Sequence, residues 1–339
     1  MDAFLELSVD DRREACREAE SKTRLRAASI EKDFWVCWTL RELFTLPQWG
    51  PHFTFKGGTS LSKAWQLIDR FSEDIDVVID RQFLGFGGEH SPEYAPSRKK
   101  RRQLLDALKS ASQTQIRESL QPALGSRIGE KLPVGADWRL EIDPADPDVQ
   151  TLLFRYPTAF DSEDYVPSMV KIELGARSDT DPVETPQIEP YLAETFPELL
   201  GPSRFAVRAV AARRTFWEKA MLLHEETYRP PEKRRGVRLS RHYYDLWCLI
   251  SRGIAEQALA DAGLFERIVA HREVFFRYNW LDYATLRRGA LRLLPLEEQR
   301  AAWAQDYAAM RETMFFGEAP DFDEILSVVG DFERSFNQP

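Results

Sequence analysis

Asp74 and Asp76 are separated by one residue in the run Glu73-Asp74-Ile75-Asp76-Val77-Val78-Ile79-Asp80. The apolar positions at 75, 77 and 79 predict a strand over 74–80. Successive side chains of a strand leave on opposite faces, so both carboxylates share one face while Ile75, Val77 and Ile79 enter a core. Adjacent carboxylates repel unless a cation sits between them, and an all-oxygen donor set suits a hard divalent ion, Mg²⁺ or Mn²⁺. Val170-Lys171-Ile172-Glu173-Leu174 repeats the alternation, with Glu173 on the polar face. Brought alongside, Glu173 would complete a metal-holding trio of the kind that activates an attacking hydroxyl and stabilises a leaving pyrophosphate.

Upstream, FTFKGGTSLSKAW orders a strand over 53–55, a turn at Gly57-Gly58-Thr59-Ser60 and a helix over 61–68. Glycines let backbone amides approach a phosphate, a helix N-terminus favours an anion, and the Thr59 and Ser60 hydroxyls are candidate donors to it. Lys63 in the first helical turn is expected to add a point charge. The spacing is not that of a Walker A loop. Alone, such a turn is more often purely structural; a single helix between it and an acidic strand is what gives it weight.

The later sequence is helical in pattern from residue 209 onward. On a helix over 215–226, Lys219 falls among Phe216, Leu222 and Leu223, so it needs an anionic partner. Asp245 is the one acid in Tyr243-Tyr244-Asp245-Leu246-Trp247-Cys248-Leu249-Ile250 and is expected to be buried and paired, with Arg241 or Lys219 as partner. A structural ion pair is one reading; a lysine reaching a triphosphate, oriented by Asp245, is the other.

These elements give an α/β (α+β) chain. A mixed-sheet module over 1–205 carries N-terminal helices, and a helical region over 206–339 contributes residues back to the site. Ser8 with Asp11 and Ser29 mark the starts of two early helices. A polar helix is predicted over 97–121 and strands at WRLEI, TLLFRY and SMVKIELG. With 43% hydrophobic residues, nine Trp and 21 Phe, the 339-residue chain is no disordered tail. No membrane-length apolar run or signal-like N-terminus is present, which predicts a cytoplasmic protein. Cys16, Cys37 and Cys248 form no paired motif and are expected as buried thiols, and the five histidines form no zinc-like cluster. A net charge of −9 argues against a nonspecifically basic surface, yet Arg98–Arg102 and the stretch Arg229–Arg241 are locally basic. Such runs are usually solvated faces; an RNA acceptor would give them a partner.

The glycine pair, helix and Asp-x-Asp strand resemble nucleotidyltransferases of the DNA polymerase β type, with somewhat wider spacing. IEKDFWVCWTLRELF, FKGGTSLSKAW, RFSEDIDV, FWEKAMLLHEE, RHYYDL and AWAQDYAAMRETMFFGEAPDFDEIL narrow the likeness over residues 29–330 to the AbiEii/AbiGii toxin family. That resemblance implies a toxin of a toxin–antitoxin or phage-defence pair with a cognate antitoxin. It would use an NTP and Mg²⁺, and some relatives modify the tRNA 3′ end. By motif, Asp74 and Asp76 match the metal-binding pair, Glu173 the third acid, Lys219 the lysine of an AEK-like block and Asp245 the last aspartate of an RDxxDL-like block. His242 stands where that block commonly has an acid. The leading expectation is NMP transfer to an RNA. Transfer to a small molecule or protein, and nucleotide binding without turnover, are the alternatives.

Overall fold

The computed structural model describes residues 1–23, 25–160, 168–233, 235–315 and 319–338. Arg234 of the second basic run and residues 316–318 of the last family-like block therefore lie outside the described residues. The chain divides into two compact units, Met1–Ala64 with Ser72–Ala209, and Trp65–Phe71 with Val210–Pro339.

The first unit is built on a mixed sheet. Its strands are β1 (Phe53–Lys56), β2 (Ile75–Ile79), β3 (Arg139–Ile142), β4 (Thr151–Arg155), β5 (Met169–Gly175), β6 (Val183–Glu184) and β9 (Ala209–Val210), in the order β3-β4-β5-β2-β1-β9-β6. A separate ribbon pairs β7 (Gln187–Ile188) with β8 (Phe205–Ala206). In the centre β2 runs antiparallel to β1 and parallel to β5. The inward side chains Ile75, Val77 and Ile79 are buried, as their alternation requires.

A helix over Ala27–Phe44 is apolar nearly all round and sinks Phe34, Trp35 and Trp38 fully into this unit, Trp35 stacking on Tyr156 with centroids 5.3 Å apart. Three consecutive charged residues of this helix, Glu31, Lys32 and Asp33, are nonetheless buried. Each has its own partner: Glu31 accepts from Thr158 Oγ1 and Ala159 N, Lys32 pairs with Glu73 at 2.5 Å, and Asp33 pairs with Lys63 at 2.7 Å and accepts from Tyr191 N. The helix thus ties both the acidic strand and the glycine turn to one rigid element.

Of the two expected helix starts, Ser29 is not one, since that helix begins at Ala27 after Arg26 and already contains Ser29, whereas Ser8 is. Ser8 caps Val9–Lys22 by accepting from Asp11 N at 3.1 Å, and Ser97 caps Arg98–Gln115 by accepting from Lys100 N. The polar helix continues past 121, through a widened turn at Ile116–Leu120, to Lys131. The helix after the glycine turn is shorter than its apolar pattern predicts. It spans Gly57–Thr59 and one wide turn, Ser60–Ala64, and stops before Gln66, whose φ of +52° is left-handed.

The second unit is helical, with Ala212–Thr227, Arg241–Ser251, Leu264–Phe275, Glu297–Met314 and Phe322–Asn337 as its longer elements. Tyr243 and Tyr244 are core residues here, Tyr243 donating to Leu293 O at 2.7 Å. All three cysteines are buried and free. Among the described residues no helix is long and apolar enough to cross a membrane.

Candidate active site

Register puts the acids together. Asp76 lies beside Glu173 in the parallel β2–β5 pair, and Asp74, two residues before Asp76 in extended chain, shares its face. All three are half-buried, and the Glu173 side chain remains 43% exposed. Burial is the main reason that the Asp76 carboxyl is pushed up to about 7; Lys56 opposes the rise, while Glu173 and Asp74 add to it. Asp74 is raised in the same way by burial, then by Glu173 and Glu73. The Glu173 carboxylate, next to Asp76 across the strand pair, adds to the cost of ionising Asp76.

A divalent cation would relieve the repulsion within such a row of acids, and the oxygen-only donor set fits a hard ion. Glu173 is also engaged by Lys171 at 2.6 Å. In this arrangement no three Asp, Glu, His or Cys side chains among the described residues are posed as a finished ligand set. Binding an ion would involve exchanging the Lys171 contact of Glu173 for the metal.

The glycine turn is locked against the acid strand. Gly57 has φ +80°, and a Cβ built there would stand 1.9 Å from Asp76 Oδ2, so only glycine lets the two segments approach this closely. Thr59 Oγ1 donates to Asp74 O at 2.5 Å and contacts Ser72 Oγ at 2.9 Å; Ser60 Oγ donates to Gly57 O at 2.9 Å. Both hydroxyls were expected to face a phosphate. Here they are buried, and their interactions fasten the turn, leaving half-buried Gly57 and Gly58 as its open edge.

Lys63 also departs from expectation. Its ammonium is buried between Asp33, at 2.7 Å, and the Tyr191 ring, 3.4 Å from the centroid. Burial alone would lower its pKa, but the Asp33 carboxylate beside it keeps the group charged. It braces the turn from inside through these two contacts. Besides Lys171, Lys56 is placed at the acids, directly across the β1–β2 pair from Asp76.

In the second unit, Asp245 is fully buried and its partners are identified. Arg70 grips it with both guanidinium arms, Nε at 2.7 Å and Nη2 at 2.8 Å, and Lys219 Nζ is 2.7 Å away. Although burial opposes ionisation, these two cations hold the carboxyl well below its usual range. Burial first, then Arg70 and Arg241, lower the Lys219 pKa, with Asp245 opposing. His242 Nδ1 lies 3.4 Å from Lys219 Nζ, and burial together with that ammonium favours the neutral ring. Of the two expected partners of Asp245, Lys219 is in place and Arg241 is not; Arg70 takes that position.

Residues 38–328 match the sequence profile of the family described as nucleotidyl transferase AbiEii toxin, type IV toxin–antitoxin system. The chain belongs to the AbiEii nucleotidyltransferase toxin family. AbiEii membership makes it an NTP-using nucleotidyltransferase, of a family that generally uses a divalent metal. No curated protein matches the chain. Among solved structures it is similar to MenT4, a nucleotidyltransferase toxin of Mycobacterium tuberculosis H37Rv, at 17% identity and a TM-score of 0.41, over 96% of this chain and 99% of that one.

Two residues of this AbiEii chain escaped the sequence reading. Arg70 precedes Phe71 and the acids of RFSEDIDV, and nothing in that run points to a partner 175 positions later. Lys56 had a usable signal, because it ends a strand immediately before the glycine pair. Only the β1–β2 register, though, puts it opposite Asp76.

Proposed function

We infer that this AbiEii-family enzyme transfers a nucleoside monophosphate from an NTP to a hydroxyl of an RNA, with the tRNA 3′ end as the acceptor of choice. The observation carrying the reading is the row Glu173–Asp76 with Asp74, on the polar face of the adjacent strands β2 and β5 and fitted to a glycine turn. A Mg²⁺ or Mn²⁺ ion held by Asp74, Asp76 and Glu173 would neutralise charge on the phosphates and lower the pKa of the attacking hydroxyl. The acceptor oxygen forms a bond to the α-phosphorus, the α–β bridging bond breaks, and pyrophosphate leaves with the electron pair. Glu173, still partly exposed, takes the proton of the hydroxyl. Gly57 and Gly58 let the backbone approach the phosphates, and the hydrogen bonds of Thr59 and Ser60 hold that edge in place. By motif, Lys219 and Asp245 match the family's lysine and final aspartate, and within their own unit Lys219 pairs with Asp245 at 2.7 Å.

An RNA acceptor is supported by the run Arg98–Arg102. Five cations crowd the first turns of a helix, where the dipole disfavours positive charge, and none forms an ion pair among the described residues. Their cost is recovered when they neutralise phosphates. In the run Arg229–Arg241, by contrast, Arg229 and Arg235 are paired with Glu226, and Lys233 lies over the Trp280 ring. As a toxin of a type IV pair the protein has a cognate antitoxin, and we place its action in the cytoplasm.

Incubation with total RNA, Mg²⁺ and each α-labelled NTP tests the reading. Label should migrate with small RNA and be lost with Asp74→Asn or Asp76→Asn. Label entering only protein or small molecules would replace the acceptor class, and wild-type transfer by both variants would overturn the mechanism.

A further inference from the structure

Lys56 is a cation beside the acids that, among the described residues, is not closed onto a carboxylate. Glu173 has Lys171, and Glu73 has Lys32. Lys56 is the cross-strand neighbour of Asp76, and in antiparallel pairs such neighbours have Cβ atoms about 5 Å apart. Even so, among the described residues its ammonium makes no ion pair and reaches only a neutral hydroxyl, Ser178 Oγ at 3.1 Å. It is half-buried and bonded directly to Gly57, so it stands where the acid row meets the open edge of the turn. An ammonium kept next to carboxylates without closing on them is arranged for an anion that arrives later.

We propose that Lys56 is a catalytic residue that contacts a non-bridging oxygen of the NTP triphosphate at the α-phosphoryl group. It leaves Ser178 for the phosphate when the nucleotide binds. The Lys56 side chain offsets the charge that grows on the phosphoryl oxygens as the acceptor oxygen bonds and pyrophosphate departs. The assignment rests on the nucleotidyl-transfer reading above, but part of its test does not depend on turnover.

Lys56→Met and Lys56→Arg are compared with the wild-type chain in two measurements. Binding of α,β-methylene analogues of the four ribonucleoside triphosphates with Mg²⁺ should weaken about tenfold in Lys56→Met and recover in Lys56→Arg. Label transfer to RNA should lose about 100-fold in kcat for Lys56→Met, with Lys56→Arg regaining at least about tenfold. If the wild type binds the analogues but transfers nothing, the nucleotidyl-transfer reading fails while the binding difference still supports the phosphate contact. If Lys56→Met binds the analogues and turns over like the wild type, the proposal is overturned. It is equally overturned if the only change is tighter Mg²⁺ binding, which identifies Lys56 as a counter-charge for Asp76. Thermal melting of both variants establishes that they are folded.

Discussion

Gly57→Ala places the added methyl 1.9 Å from Asp76 Oδ2, 2.7 Å from its Cγ and 3.0 Å from its Cβ. Because Cβ itself is at the contact limit, rotating the carboxyl end does not relieve the overlap; the whole side chain or the β2 backbone has to move. Restoring even a 3.0 Å contact to Oδ2 requires a shift of about 1 Å. Two costs add. A non-glycine residue at φ +80° loses about 1–2 kcal/mol, and forcing the packed neighbour aside loses about 1–3 kcal/mol more. The expected result is about 2–5 kcal/mol of lost stability, read by equilibrium urea denaturation. Transfer of α-labelled phosphate should fall about 100-fold at a temperature where the variant is still folded, since a displacement of about 1 Å at a reacting group costs that much. Gly175→Ala is the control: it lies two residues beyond Glu173 on β5, and its added methyl meets nothing within 4 Å. A folded Gly57→Ala protein with transfer within threefold of the wild type would refute the idea that this close approach sets the position of Asp76.

Asp76→Asn should stabilise the metal-free protein. An acid whose folded pKa is raised binds its proton more tightly in the native state, so stability falls as pH rises from the unfolded value of 3.8 through about 7. The melting temperature of Asp76→Asn should therefore exceed the wild type's at pH 8, by at most about 4 kcal/mol in free-energy terms, and converge with it near pH 4; a gap that widens toward acid contradicts the assignment. Added Mg²⁺ should raise the wild-type melting temperature and leave that of Asp76→Asn nearly unchanged. Asp245→Ala strands Arg70 and Lys219 in the interior and should cost about 3–5 kcal/mol at pH 7. The folded pKa of Asp245 is depressed, so the pair's contribution is present above the unfolded value and disappears only as pH falls through the folded one; a urea midpoint unchanged at pH 7 rules the bridge out as a stabilising element.

Local pattern carried much of this fold. Alternation at 74–79 and 170–174 identified strands and their polar faces, and the caps at Ser8 and Ser97 follow from single side chains reaching nearby amides. Periodicity states which face a residue takes but not which strand lies alongside, so the Asp76–Glu173 neighbourhood needed the three-dimensional register. The same limit explains the hydroxyls and lysines of the turn. Thr59, Ser60 and Lys63 have the chemistry of phosphate ligands, but backbone carbonyls and Asp33, brought close by folding, claim them first. A buried charge announces that it needs a partner and not who the partner is; Asp245 chose Arg70 over the nearer Arg241 for that reason.

The buried trio Glu31-Lys32-Asp33 has a genetic corollary. Because each of its side chains anchors a different stretch of the first unit, a substitution at any one disturbs the geometry of catalysis from within the interior, without touching substrate. Selecting cells that survive forced production of the toxin should accordingly return changes in this short helical segment alongside those in the acids, and such survivors would accumulate less protein rather than an inert but abundant one.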